Sequence, residues 1–175
     1  MKTLSLPIAF VVAMWGVFIL DIFVPGSFAM YGMTPRTLRG LLGIATSPFL
    51  HGGLFHLIAN TMPLFILLLL LEISYPDIAG HAVCFIIIVG GFLCWLIARP
   101  AIHIGASSLI YGLAGFLIVA GIYKRRLIPL FISIFVACTY GLSLLFGIIP
   151  IPGCVSWEGH LTGLVSGVLL GFSEK

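Results

Sequence analysis

The chain has 175 residues, of which 61% are hydrophobic and only 7% are charged, and its formal net charge is +3. A typical soluble domain is about 25% charged, so this composition excludes a soluble globular domain and predicts an integral membrane protein. The small, scattered positive charge also gives no reason to expect binding to nucleic acid.

Six apolar segments follow one another along the chain. A membrane-spanning helix needs about 20 mostly apolar residues, and most of the breaks between these segments hold a proline. The break between the fourth and fifth segments is the cation run at 124–126. We therefore predict one domain, residues 1–175, that folds as an all-α bundle of six transmembrane helices. The predicted spans are Leu6–Val24, Leu54–Leu71, Ala82–Ile97, Ser107–Tyr123, Leu127–Phe146 and Trp157–Phe172.

The first span has some features of a secretory signal peptide, because Lys2 precedes it and the small residues Ser27 and Ala29 follow it. Its apolar run is, however, longer than the usual signal-peptide core of about 7–15 residues, and it contains Trp15. We interpret it as a retained helix. The connection after it, about residues 25–49, has few acids, which favours a segment lying in the membrane interface.

The basic residues predict the orientation. Positive residues are enriched in cytoplasmic connections, and the densest cluster lies between the fourth and fifth spans. We therefore expect both termini in the cytoplasm, with spans two, four and six entering from the outer face. On this prediction the cytoplasmic side holds Lys2, Lys124, Arg125, Arg126 and Lys175, and the outer side holds Arg36, Arg39 and Arg99.

Polar residues cluster near the outer ends of the even-numbered spans. His56 and Asn60 are four residues apart on span two, and Ser107 and Tyr111 are four apart on span four. Each pair therefore shares one helix face. His160 opens span six. Polar and ionisable groups are costly in lipid, so a set at one depth predicts a functional site.

The residue types in this set are those that acyl transfer needs. A serine at a helix start lies beside free backbone N–H groups, which suits a nucleophile whose attack creates an oxyanion. A neutral imidazole from His160 can accept the serine proton. A simpler interpretation stays open for each residue alone, because polar side chains commonly join membrane helices. His51 lies five residues before His56, which is a poor spacing for joint metal binding.

Small residues predict which helices touch. Gly163, Gly167 and Gly171 recur every four residues on span six, and Gly112 and Gly115 offer a matching face on span four. Such stripes let helix backbones approach closely. The expected contact brings the imidazole of span six toward the serine of span four.

Acidic residues are poorly placed to complete a triad. Glu158 is two residues from His160, so on a helix it points in another direction. Asp21, late in span one, stays open as a neighbour. We therefore expect a Ser–His dyad.

Together these motifs resemble the signature of the rhomboid intramembrane proteases. The resemblance rests on His51-x4-His56-x3-Asn60, Gly105-x-Ser107, Tyr111 four residues later and His160-x2-Gly163-x3-Gly167, and it extends from about Thr46 to Gly171. It implies a six-helix bundle that cleaves transmembrane protein substrates near their outer ends, within the lipid bilayer and without a metal or organic cofactor. A bacterial plasma membrane fits this interpretation.

The resemblance also implies roles for individual residues. Ser107 would be the nucleophile, His160 the general base, and His56, Asn60 and the backbone N–H of Ser107 the oxyanion hole. Tyr111 would stack on the His160 ring, Gly105 would permit a tight loop, and His51 would support the first outer connection. Gly163 and Gly167 would bring the helices together.

Two features depart from the family pattern. Ser108 stands where the family usually has glycine, and the first outer connection has Arg36 and Arg39 without a neighbouring tryptophan. Because of Ser108, an inactive relative that binds transmembrane helices is an alternative. A proton-coupled transporter or channel is a second alternative, although its polar residues would have to cross the membrane, and these cluster near one face.

Overall fold

The computed structural model describes residues 5–124, 126–150 and 155–174. Within these ranges the chain forms seven α-helices, two short 3₁₀-helices at Phe28–Tyr31 and Ser47–Phe49, and no β-strand apart from one isolated antiparallel bridge between Met33 and His103. The helices are α1 (Ser5–Phe23), α2 (Leu38–Thr46), α3 (Leu54–Ser74), α4 (Ala79–Ile97), α5 (Ser107–Tyr123), α6 (Leu127–Gly147) and α7 (Trp157–Ser173). Lys2, Arg125 and Lys175, which entered the orientation prediction, lie outside the described residues.

Every predicted span corresponds to a helix, and the ends agree within three residues. The prediction of an all-α membrane bundle is therefore confirmed. Four helices, α1, α3, α4 and α6, are long and apolar enough to cross a membrane. The helices α5 and α7 have 17 residues each, so their crossing stays a prediction.

The centre of the bundle is the contact between α5 and α7, the most extensive helix pair in the described structure. A Cβ added to Gly167 would overlap the carbonyl oxygen of Gly112, and a Cβ on Gly115 would lie 3.1 Å from the carbonyl oxygen of Leu164. Glycine at these positions lets the two backbones touch directly. The contact predicted from the small-residue stripe is confirmed.

An adjacent face of α7 packs against α4. Residues 86–90 of α4 form a π-helical turn, and a Cβ on Gly90 would lie 2.9 Å from Ser166 Oγ and 3.3 Å from the Gly163 Cα. The helix that carries His160 is thus held between α5 and α4. Two packed faces leave this helix little freedom to move sideways.

Two polar contacts attach α1 to α3. Near one end, Trp15 Nε1 donates to Thr61 Oγ1 at 3.1 Å. Near the other, Glu72 Oε1 accepts from the backbone N–H of Leu6 at 3.3 Å and from Ser5 Oγ at 3.5 Å. Because the first N–H groups of a helix lack intrahelical partners, Glu72 caps α1.

The first connection is folded against the end of α4. Thr37 caps α2 by accepting from the Gly40 N–H at 3.0 Å. The guanidinium of Arg36 donates to the carbonyl oxygens of Leu96 and Ala98, at 3.0 and 2.9 Å. Trp95 Nε1 donates to the Thr37 carbonyl at 2.9 Å. A tryptophan of α4 therefore contacts this connection, although no tryptophan neighbours Arg36 in the sequence.

Candidate active site

The loop before α5 sets up a helix N-terminus with free donors. Gly105 has φ = 106°, a conformation that favours glycine, and its N–H donates to the Ser47 carbonyl at 2.9 Å. Ala106 precedes the helix and provides no side-chain cap. The N–H groups of the first turn, beginning at the partly buried Ser107, therefore have no intrahelical acceptor. This arrangement can bind a negatively charged oxygen.

His56 and Asn60 both reach this loop from α3. A Cβ on Gly105 would lie 2.6 Å from His56 Nε2 and 3.7 Å from Asn60 Nδ2. Asn60 is buried, and its Nδ2 donates to the carbonyl of His56 at 2.9 Å, which fixes the amide. The absence of a side chain on Gly105 thus lets two possible donors come within reach of the start of α5.

His160 lies flat on Tyr111. The two rings are 4.1 Å apart at their centroids and only 8° from parallel. His160 Nδ1 lies 2.9 Å from the carbonyl oxygen of Gly147, and the Tyr111 hydroxyl donates to the Ser143 carbonyl at 2.7 Å. Because Tyr111 is four residues after Ser107, the imidazole lies against the helix face that begins with this serine.

Ser107 makes no hydrogen bond with His160 in the described structure. Among the described residues, the His160 side chain forms one hydrogen bond, between Nδ1 and the Gly147 carbonyl. Its Nε2 is therefore left for another partner. Hydrogen bonds between reacting groups are often long in the absence of substrate and shorten when it binds. The helix contact and the stacking thus bring the two groups to one site, while the bond itself is not formed.

His51 supports His56. The two rings meet edge to face with centroids 5.0 Å apart, and His51 is buried. The pKa of His51 is lowered to about 4. Burial is the main cause, the positive charge of His56 acts in the same direction, and the Phe49 carbonyl partly opposes both. His51 is therefore neutral near pH 7. His51 thus lies against His56, which itself reaches the loop before α5.

Ser108 packs toward α7. A Cβ on Gly163 would lie 2.8 Å from Ser108 Oγ and would overlap the Ser108 carbonyl oxygen. The hydroxymethyl group that replaces the usual glycine therefore occupies space left by Gly163. It does not lie between Tyr111 and His160, whose rings are in contact.

Neither acid considered in the sequence contacts the His160 ring through a hydrogen bond. Asp21 Oδ1 accepts from the Phe28 N–H at 2.6 Å, and Oδ2 accepts from Ser27 Oγ at 3.3 Å. Asp21 thus stabilises its own turn, and the open possibility of a triad through it is wrong. Glu158 points toward Arg99, with 3.6 Å between Oε1 and Nε. The expectation that Glu158 faces away from the imidazole is confirmed.

A second polar cluster, which sequence reasoning missed, holds the start of α7. His103 Nδ1 lies 2.6 Å from Ser156 Oγ, which caps α7 by accepting from the Gly159 N–H at 3.2 Å. Burial lowers the pKa of His103, and the Arg99 carbonyl, 3.2 Å from its Nε2, opposes this. The Ser-x-Glu start of the helix was a visible capping signal. The partners from the preceding loop had no pattern in the sequence.

Fold and site define a polytopic α-helical membrane protein with a Ser–Tyr–His cluster at one end of its central helix pair. The family model for the Rhomboid domain matches residues 38–174. The chain belongs to the rhomboid family.

Known proteins similar to the chain include bacterial and plant members. An uncharacterized protein of Mycobacterium tuberculosis is 36% identical over 174 residues, which cover 94% of this chain and 72% of the relative. An uncharacterized protein of Mycobacterium leprae is 38% identical over 141 residues, 75% of this chain and 55% of the relative. RHOMBOID-like protein 1 of Arabidopsis thaliana is 32% identical over 133 residues, 73% of this chain and 33% of the relative.

Proposed function

We propose that this protein is an intramembrane serine endopeptidase that hydrolyses peptide bonds in or near the transmembrane segments of other membrane proteins. The observation that carries the proposal is the position of His160. Its ring is stacked on Tyr111 and its Nδ1 is engaged by a carbonyl. The remaining nitrogen is free to act as a base on the face of α5 that begins with Ser107.

In the proposed reaction Ser107 Oγ attacks the carbonyl carbon of the scissile peptide bond, and His160 Nε2 accepts the hydroxyl proton. The C–O bond forms as the carbonyl electrons move to oxygen. When the tetrahedral intermediate collapses, the C–N bond breaks and the imidazolium gives its proton to the leaving amine. Water then repeats the sequence on the acyl-enzyme, with the same imidazole as base.

Three donors near the start of α5 would stabilise the oxyanion. They are the backbone N–H of Ser107, at an uncapped helix start, and the side chains of Asn60 and His56, both adjacent to Gly105. Fixed donors in a water-poor site stabilise developing charge without reorganisation. Replacing Asn60 by alanine is therefore expected to reduce the rate on the order of 10²–10³-fold.

The orientation in the membrane remains part of the proposal. The start of α5 and the start of α7 lie at the end of the bundle opposite the connection that carries Lys124 and Arg126. Positive residues favour the cytoplasm, so the active site would open to the outer face of a bacterial plasma membrane. Transmembrane proteins would then be cleaved near their outer ends.

Labelling of purified, detergent-solubilised protein with a fluorophosphonate tests the proposal. Intact mass and peptide mapping are expected to give a single adduct on Ser107, lost in Ser107→Ala and His160→Ala. His81→Ala serves as the matched control, because His81 lies on α4 and contacts Phe85 instead of the site. Ser108→Ala should still be labelled. An adduct on Ser108 would contradict the assignment of the nucleophile.

A catalytically inactive rhomboid-like protein that binds transmembrane helices is the second candidate. Ser108 in place of the usual glycine is the observation that favours it. Its hydroxyl packs toward Gly163, which argues that the nucleophile keeps its space. This candidate would be supported if folded protein reacts with neither a large nor a small fluorophosphonate and does not cleave a transmembrane reporter in proteoliposomes.

A further inference from the structure

Gly147, the last residue of α6, makes an unusual contact for a helix end. Its carbonyl oxygen lies 2.9 Å from His160 Nδ1. A carbonyl oxygen can only accept a hydrogen bond, so Nδ1 must carry the hydrogen whenever this bond is formed. In a neutral imidazole the other nitrogen, Nε2, then holds the lone pair. This bond therefore selects the tautomer that can accept a proton from a serine.

The carbonyl is available because of its place in the helix. The last four carbonyl groups of an α-helix lack intrahelical N–H partners. Their aligned dipoles also give the helix C-terminus a partial negative charge, which stabilises a nearby imidazolium. Orienting the imidazole and stabilising its charged form are the two tasks of the acid in a Ser–His–Asp triad. The end of α6 offers both without a carboxylate.

Glycine is required at this position by the surrounding side chains. A Cβ on Gly147 would overlap the hydroxyl oxygen of Tyr111, would lie 2.6 Å from its Cζ and would come within 3.2 Å of His160 Nδ1. Tyr111 itself donates to the Ser143 carbonyl, one turn earlier on α6. The last turn of α6 is thus attached to both members of the stacked ring pair.

We propose that Gly147 is the positioning residue that takes the place of a triad acid, with its backbone carbonyl fixing the tautomer and the orientation of His160. The proposal rests on the proposed function only in that His160 is the general base. Gly147 contacts neither substrate nor the reacting atoms. It acts through His160, and the Tyr111 hydroxyl bond keeps the end of α6 in place.

Nitrogen-15 NMR of the full chain, labelled at histidine and solubilised in detergent, reads the tautomer directly. Loss of one signal set in His160→Ala assigns the resonances. The expected result is a neutral imidazole with hydrogen on Nδ1. A His160 with hydrogen on Nε2 in the wild-type protein would overturn the proposal, because the carbonyl then has no donor. This measurement needs no variant of Gly147 that folds.

Gly147→Ala adds a second readout. We expect a mixture of tautomers and fluorophosphonate labelling slowed on the order of 10²-fold, since misplacement by about 1 Å has effects of that size. Gly141→Ala is the matched control, because Gly141 lies on the same helix and a Cβ there would meet nothing within 4 Å. An unchanged tautomer and rate in Gly147→Ala would overturn the proposal.

The two proposals can fail separately. In one outcome His160 has the expected tautomer, Gly147→Ala changes that tautomer, and Ser107 forms no adduct. This outcome would support the positioning contact and contradict the protease function. An adduct on Ser107 that depends on His160, together with the opposite tautomer, would support the protease and contradict the role of Gly147.

Discussion

Replacing Gly167 by alanine tests whether the contact between α5 and α7 holds the active site together. A Cβ on Gly167 would overlap the Gly112 carbonyl oxygen and would lie 2.6 Å from its carbonyl carbon, whereas ordinary van der Waals contact begins at 3.4 Å. Both atoms belong to backbone, so neither can move aside as a side chain would. The helices must therefore separate locally by about 1 Å.

This separation has two opposing energetic effects. Overpacking a buried contact costs about 1–3 kcal/mol, while alanine in place of glycine favours the helix by about 1 kcal/mol. The net effect is a loss of stability of at most about 2 kcal/mol, so the protein should still fold. The site is affected more strongly, because His160 lies two turns before Gly167 on the moving helix. A shift of about 1 Å reduces rates on the order of 10²-fold.

The assay compares the second-order rate of fluorophosphonate labelling with thermal unfolding in detergent. Gly141→Ala is again the control, because it gains the same helix propensity without a steric contact. The expected result is a labelling rate about 10²-fold below that of the control, with a melting temperature only moderately lowered. Labelling at the wild-type rate in Gly167→Ala would refute the argument that this backbone contact positions the imidazole.

Three further predictions concern separate parts of the site. Ser107→Ala and His160→Ala should each abolish cleavage of a transmembrane reporter, and the double variant should be little worse, since the two act as one unit; additive losses would contradict the dyad. Arg99→Gln should lower the melting temperature more than Glu158→Gln, because Glu158 is 3% exposed and Arg99 is 36% exposed, and a buried charge without its partner is costly. The pKa of His51 is lowered from 6.5 to about 4. The stability that neutral, buried His51 contributes is therefore complete above pH 6.5 and is lost as the pH falls to 4, by at most about 3 kcal/mol. Thermal unfolding across this range should depend less on pH in His51→Phe, and equal pH dependence would contradict the assignment.

The helices could be predicted from the sequence because an apolar run and its breaks are local properties. The predicted span from Ser107 to Tyr123 has the same ends as α5. The predicted third span begins three residues after the first residue of α4, because Ala79, Gly80 and His81 carry no strong apolar signal. The π-helical turn in α4, at residues 86–90, was not predicted.

The first connection shows the limit of pattern reasoning. Its composition predicted a segment in the membrane interface, but the order of its backbone depends on distant partners. Arg36 binds carbonyl groups at the end of α4, 60 residues later in the chain, and Trp95 donates back to Thr37. Such bonds pair side chains with backbone groups, which have no sequence signature.

The candidate site divides in the same way. The approach of the His160 helix to the helix face that begins with Ser107 could be predicted, because a glycine stripe and helical spacing indicate which faces touch. The stacking of His160 on Tyr111 was implied by the family resemblance, and the rings are in contact. The contact of His160 with Gly147 could not be predicted, because its acceptor is a carbonyl group that every residue carries. The outer cluster of His103 with Ser156 was also missed, since it joins a loop to a helix start.

A backbone acceptor suits a site in the membrane better than a carboxylate does. An acid in a low-dielectric site costs several kcal/mol unless it is paired, and Glu158, the acid nearest in sequence to His160, is engaged with Arg99. The carbonyl at the end of α6 carries no net charge and lacks an intrahelical partner whether or not His160 is present. It therefore gains a hydrogen bond instead of losing hydration. If the proposed function is correct, the same argument explains why a serine and a histidine would suffice: the charge of the imidazolium would appear only during the reaction, next to a helix end whose dipole opposes it.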